Sequence, residues 1–281
     1  MSISVLTNVA SLNAQRNLAN TGTALAASIG RLSSGLRINT ASDDAAGLGI
    51  SESLKTQLRS MAQAQRNTND GVSMSQVAEG AMNDIQGMVS RQRELAVQAA
   101  NSTLSGTERG FIQTEFQQLN LEINRITNVT NFNGQHLLDG AASTGLTFQV
   151  GINNTADDRI SMSITRLTTS TLGSTALHIA SASLSTATNA GLALSAFDRA
   201  ITQLSSARSK VGATQNRLNV TLSNQSSFIE NLSAANSRIR DTDIAAETAA
   251  LTRAQVLQQA GIAVLAQANL SSQAALALLG Q

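Results

Sequence analysis

Residues 197–239 read FDRAITQLSSARSKVGATQNRLNVTLSNQSSFIENLSAANSRI. Alternating steps of four and three pick out Phe197, Ile201, Leu204, Arg208, Val211, Gln215, Leu218, Leu222, Gln225, Ile229, Leu232, Asn236 and Ile239. Nine of these thirteen positions are apolar, so one side of a long helix packs along another helix for six heptads. The polar positions Gln215, Gln225 and Asn236 weaken that contact and fix its register.

Working outward, a second seam runs through Leu54, Leu58, Met61, Thr68, Val72, Met82, Ile85, Val89, Ala96 and Ala99. A third runs through Ile112, Phe116, Leu119, Ile123 and Ile126. Between them, Asn101-Ser102-Thr103-Leu104-Ser105-Gly106 reads as a turn followed by a helix cap. A helix over residues 44–100 would be about 85 Å long at 1.5 Å per residue, which suits a rod better than a ball. Composition agrees. The chain of 281 residues has six Phe and no Trp, Tyr, Pro or Cys. Without large aromatic side chains the core must be thin and aliphatic. Without Pro, nothing interrupts long helices.

The middle changes character. Asn131-Phe132-Asn133-Gly134 is a turn signal. Leu146, Phe148 and Val150 alternate with polar residues, as do Ile160, Met162 and Ile164. This predicts one small β-hairpin region near residues 141–166. Residues 166–190 are rich in Ser, Thr and Ala with weak periodicity, and Thr168-Thr169-Ser170-Thr171 reads as exposed surface, unmodified on the favoured reading and O-glycosylated on the other.

The two ends are a class apart. Leu18, Leu25 and Leu32 recur at heptad spacing, and so do Val256, Ala263, Leu270 and Ala277, with Leu257, Val264 and Leu278 adjacent. Residues 1–30 carry only Arg16 as a charged side chain, and residues 254–281 carry none. Gln258, Gln259, Gln267, Asn269 and Gln273 interrupt the C-terminal stretch too often for a membrane span. Two such helices can pair as a separate coiled coil, yet apolar surface remains on other sides. The simplest cover for it is further copies of the same chain. The expectation is a mainly α protein with a long coiled-coil-like bundle over residues 43–240. Residues 1–42 and 241–281 form the inner part.

Several classes of function are disfavoured. Net charge is +1, giving no electrostatic footprint for nucleic acid or an anionic membrane. No thiolate metal site exists without Cys, and His136 and His178 follow no metalloprotease spacing. No catalytic constellation, cofactor site or metal site is expected. Asp43-Asp44 reads as a helix start, with Ser42 or Asp43 as the cap, rather than a cation site. The start MSISVLTNVASLNAQRNL lacks a basic leader and cleavage signal, so export without a cleaved signal peptide is expected.

Several longer motifs stand in order: Arg31-Leu-Ser-Ser-Gly-Leu-Arg-Ile-Asn39, Asp43-Asp-Ala-Ala-Gly47, Arg66-Asn-Thr-Asn-Asp-Gly71, Ser237-Arg-Ile-Arg-Asp-Thr-Asp243, Arg253-Ala-Gln-Val-Leu-Gln-Gln-Ala-Gly261 and Val264-Leu-Ala-Gln-Ala-Asn269. With these the chain strongly resembles bacterial flagellin over residues 1–150 and 190–281. The resemblance implies an extracellular filament subunit, in a minimal form without large central surface domains. It implies an inner polymerisation core that includes Leu18, Leu25, Leu32, Val256, Leu257, Val264, Leu270 and Leu278. It also implies unfolded export through the flagellar type III apparatus. The implied partners are other copies, an export chaperone that holds the C-terminal segment, and cap and junction proteins. Finally, Arg91-Gln-Arg-Glu-Leu95 and the next helix resemble the surface read by the flagellin-sensing Toll-like receptor, with Arg91, Leu95 and Glu115 carrying over. Two other readings are a hook–filament junction protein, which shares the terminal helices, and a signalling coiled coil of chemoreceptor type. The β-hairpin and the uncharged ends disfavour the second.

Overall fold

The computed structural model describes residues 7–173 and 177–279, with side chains to Leu270. Its long elements are α1 (Val9–Ser34), α2 (Ala45–Ala99), α3 (Gly106–Val129), α4 (Ala187–Arg240) and α5 (Ile244–Leu279). Two short antiparallel hairpins fall between α3 and α4: β1 (Asn131–Phe132) with β2 (Gln135–His136), and β3 (Leu146–Gln149) with β4 (Arg159–Met162).

Local chemistry sets the helix ends. Asn8 caps α1 by accepting the Ser11 N–H at 3.0 Å, and Gly35 closes it in the left-handed region at φ 71°. Ser105 and Glu108 form a reciprocal capping box on α3, with the Ser105 N–H donating to Glu108 Oε2 at 2.7 Å. Ser105→Ala should lower stability by about 1 kcal/mol in urea unfolding; an unchanged midpoint would mean that this cap is idle. The cap on α2 differs from expectation. It is Asp44, whose Oδ1 accepts the Gly47 N–H at 2.8 Å. Asp43 instead holds the turn before the helix, accepting the Asn39 and Thr40 N–H groups at 3.1 and 2.9 Å. Two adjacent aspartates are interchangeable as sequence signals, and the helix begins one residue later than an Asp43 cap would give and two later than a Ser42 cap.

The packing follows the seams. None of the thirteen α4 seam residues is exposed. In the compact unit 59–229, Met82, Ile85, Val89 and Leu95 of α2 and Phe116 and Ile123 of α3 join Phe197, Leu204 and Val211 of α4 in one core. Phe116 and Phe197 meet edge to face, with ring centroids 5.8 Å apart at 74°. The polar seam residue Gln225 donates through Nε2 to Thr68 Oγ1 at 3.0 Å and to the Val150 carbonyl at 2.6 Å. It therefore ties α4 to α2 and to the end of β3, which is how a polar residue in a seam sets register.

The hairpins sit where the alternation places them. Phe148 pairs with Ile160, and Gln149 with Arg159. Asn133 and Gly134 have φ 51° and 81°, the conformation of a two-residue type I′ turn, so the turn signal is a hairpin of its own. Residues 166–190 are less open than expected. Leu167, Leu172, Ile179, Ala182 and Leu184 are buried and cap the core. Thr168 and Thr169 are buried too, and Thr169 Oγ1 donates to Asn124 Oδ1 at 3.0 Å. The Ser/Thr run is thus mostly interior, and Ser170 alone of its four residues is exposed. Hydroxyls that satisfy buried neighbours look the same in sequence as hydroxyls facing water.

Residues 1–58 with 230–281 form the other compact unit. The division differs from the expected boundaries at 42/43 and 240/241 because α2 and α4 run through it without a break.

Candidate functional site

Within the terminal unit α1 and α5 lie antiparallel. At one end Asn8 Nδ2 donates to the Ala268 carbonyl at 2.9 Å, and Ser11 Oγ donates to Asn269 Oδ1 at 3.0 Å. At the other end Arg31 and Glu247 are 3.8 Å apart. Between them, a side chain at Gly261 would stand 3.4 Å from Leu18 Cδ1, so the helices approach closely there.

The α1 heptad residues Leu18, Leu25 and Leu32 are half-buried. The face that α5 turns inward is Ala254, Gln258, Gly261, Leu265 and Ala268, all buried or half-buried. Val256, Leu257, Val264 and Leu270, together with Ile262, are each more than half exposed, as are Val9 and Ile29 of α1. Most large apolar residues of α5 therefore point away from α1, with Leu265 the exception on the inward face. The side chain of Leu278 lies outside the described residues. The inward face of α5 leaves little pattern in the sequence because, Leu265 apart, it is built from small and polar residues, which allow close approach but give no apolar repeat.

Where this pair meets the remaining chain, the segments 35–37 and 240–242 run side by side. The Arg37 N–H donates to the Arg240 carbonyl at 2.6 Å, and the Thr242 N–H to the Gly35 carbonyl at 3.0 Å. Arg37 also donates through Nη2 to the Ile239 carbonyl at 2.8 Å, and Arg240 pairs with Glu52 at 2.6 Å. Two carboxyls nearby are held below their usual range: Asp43 chiefly by the Thr40 N–H, and Glu52 chiefly by the Arg240 guanidinium. Depressed values mean that their contribution is complete above the ordinary carboxylate range and is lost as pH falls through the lowered folded-state values. The Thr40 amide resonance should titrate with a midpoint below about 3.9, the free aspartate value; a midpoint at or above it would remove Asp43 from this joint.

Of the residues expected at a receptor surface, Arg91 and Glu115 are exposed and paired at 2.9 Å, with Glu94 also on Arg91 at 3.2 Å. Leu95 is only 1 % exposed. It belongs to the core beneath that surface rather than to the surface, in the same cluster as its neighbour Ala96 of the α2 seam. His136 is exposed on β2 and His178 is half-buried. Among the described residues no group of His, Asp and Glu is placed to hold a metal ion, and no helix is long and apolar enough to cross a membrane.

Two family models match this architecture: the bacterial flagellin N-terminal helical region over residues 5–143, and the bacterial flagellin C-terminal helical region over residues 194–279. The chain belongs to the bacterial flagellin family. It is 44 % identical to a flagellin of Halalkalibacterium halodurans, over 97 % of this chain and 98 % of that one. It is 41 % identical to a flagellin of Bacillus subtilis and 39 % identical to a flagellar filament core protein of Brachyspira hyodysenteriae, with the same two coverages in each case. Flagellins are structural proteins of the extracellular flagellar filament, and this chain is such a filament subunit. A putative flagellar hook-associated protein of Vibrio parahaemolyticus shares the fold, with a TM-score of 0.60 over 71 % of this chain and all of that one, but at 16 % identity the likeness is one of fold alone.

Proposed function

We propose that the outward apolar faces of α1 and α5 are the surface through which copies of this flagellin polymerise, with residues 1–42 and 241–281 forming the inner core of the filament. One observation carries the reading: five large apolar side chains of α5, from Val256 to Leu270, stand more than half exposed on a helix that carries no charged side chain from Ala254 onward. Burial contributes roughly 0.8 kcal/mol per CH₂, so a few such side chains offset much of the cost of ordering. No catalytic step is assigned to the chain. A chain lacking both residues 1–42 and 241–281 should add to no filament seed under conditions in which the full chain elongates it. Tubes built from the shortened chain would overturn the assignment.

Unfolded export through the flagellar apparatus belongs to the same proposal, as do an export chaperone on the C-terminal segment and cap and junction proteins at the filament ends. The apolar face of α5 is the kind of surface that a chaperone would have to cover before assembly. For a host Toll-like receptor, the exposed Arg91–Glu115 pair is the supporting observation. Arg91→Ala should cut signalling in receptor-bearing reporter cells at least several-fold while leaving filament growth intact. Equal signalling by the two proteins would remove Arg91 from that surface.

A further inference from the structure

Asn133 is the one asparagine of the chain that is followed by glycine. That pairing carries a chemistry of its own. The backbone nitrogen after an asparagine can attack the side-chain amide carbon, and glycine adds no side chain to crowd the attack. The Gly134 nitrogen gives up its proton and bonds to Asn133 Cγ, the Cγ–Nδ2 bond breaks, and ammonia leaves. The product is a five-membered succinimide, which water opens. Hydrolysis of the new N–Cγ bond leaves aspartate. Hydrolysis of the bond between the Gly134 nitrogen and the Asn133 backbone carbonyl carbon leaves isoaspartate, whose chain runs through Cβ and Cγ. Water is the only co-reactant.

The reacting groups are open to solvent. Asn133 and Gly134 are exposed, and a side chain at Gly134 would meet nothing within 4 Å. The Gly134 N–H donates no backbone hydrogen bond among the described residues. The hairpin nevertheless holds nucleophile and target apart. Attack requires the Gly134 nitrogen and Asn133 Cβ to eclipse each other about the Cα–C bond of Asn133. With φ 51° and 81°, Asn133 and Gly134 are the two central residues of a type I′ turn. The first central residue of such a turn has ψ of about +30°, which in an L-residue puts the next nitrogen almost opposite Cβ. Reaction must therefore wait for the turn to open. Opening it would break the Phe132–Gln135 pairing and the bond from the Leu137 N–H to the Thr130 carbonyl at 3.1 Å. It would also pull on Phe132, half-buried against the core, and on the fully buried Leu137 and Leu138. A segment tied to the core in this way opens seldom.

We propose that Asn133 is a site of spontaneous deamidation gated by the fold, protected while β1 and β2 are paired and converted in a chain left unfolded. The conversion is then locked in. A two-residue turn has no room for an extra backbone carbon, so an isoaspartyl chain cannot restore the Phe132–Gln135 pairing. The hairpin records how long a chain has stood open, whatever surface it later assembles through. The test compares the full chain in guanidinium chloride with the folded monomer, both at the same mildly alkaline pH and sampled over days. Peptide mapping by mass spectrometry, with isoaspartyl methyltransferase labelling, reads the product at each asparagine. Asn133 should be the fastest site in the unfolded chain and should react at least tenfold more slowly in the folded one. Equal rates at Asn133 in the two states would overturn the gate. An unfolded chain in which Asn133 persists, or in which another asparagine reacts first, would overturn the site.

Discussion

Val264→Asp yields a folded subunit that does not elongate filament seeds. Val264 is more than half exposed on the side of α5 turned away from α1, so a carboxylate there remains in water while the chain is alone. The contacts that join the two helices lie elsewhere, at Asn8, Ser11, Leu18 and Arg31. Circular dichroism and melting should match the parent chain. Assembly changes the environment, because packing copies around this face would strip water from an unpaired charge, which costs several kcal/mol or more. Sedimentation of a seeded mixture gives the answer: the variant stays in the supernatant. Filaments of normal length would show that this face of α5 stays wet in the polymer.

Phe197→Ala is expected to have the largest effect on the fold itself. Phe197 is fully buried, packs edge to face on Phe116 and joins α4 to the α2–α3 core. Truncating a buried Phe costs about 3–5 kcal/mol. For a unit of this size that lowers the melting temperature by on the order of 10 °C. A shift of under 2 °C, about what a loss of 1 kcal/mol would give, would mean that the helices close over the gap. Phe228→Ala, at a half-exposed position, should barely move the same transition.

The helices were legible because long heptad runs leave a strong periodic record, and Phe197 to Ile239 predicts its own buried side in every position. The alternation of Leu146 with Phe148 and of Ile160 with Met162 was legible for the same reason. Three features were not. The Asp43-Asp44 pair offers two equal caps to a reader of sequence, and only the backbone chooses between them. Thr168 and Thr169 are buried with local partners, and hydroxyls satisfied inside are written with the same letters as hydroxyls satisfied by water. The Ala254–Gly261–Ala268 face of α5 carries Leu265 as its one large apolar residue among small and polar ones, so a search for apolar repeats follows the opposite side. That opposite side, Val256 to Leu270, is the one proposed to meet other copies.

The pairing of segments 35–37 and 240–242 has a consequence for how subunits mature. Its backbone hydrogen bonds join positions about two hundred residues apart, so neither end can complete the joint alone. A chain cut short anywhere before Ile239 brings half a clasp and leaves the Arg37 N–H and the Gly35 carbonyl without their mates. The joint therefore closes only once both ends of the chain are present.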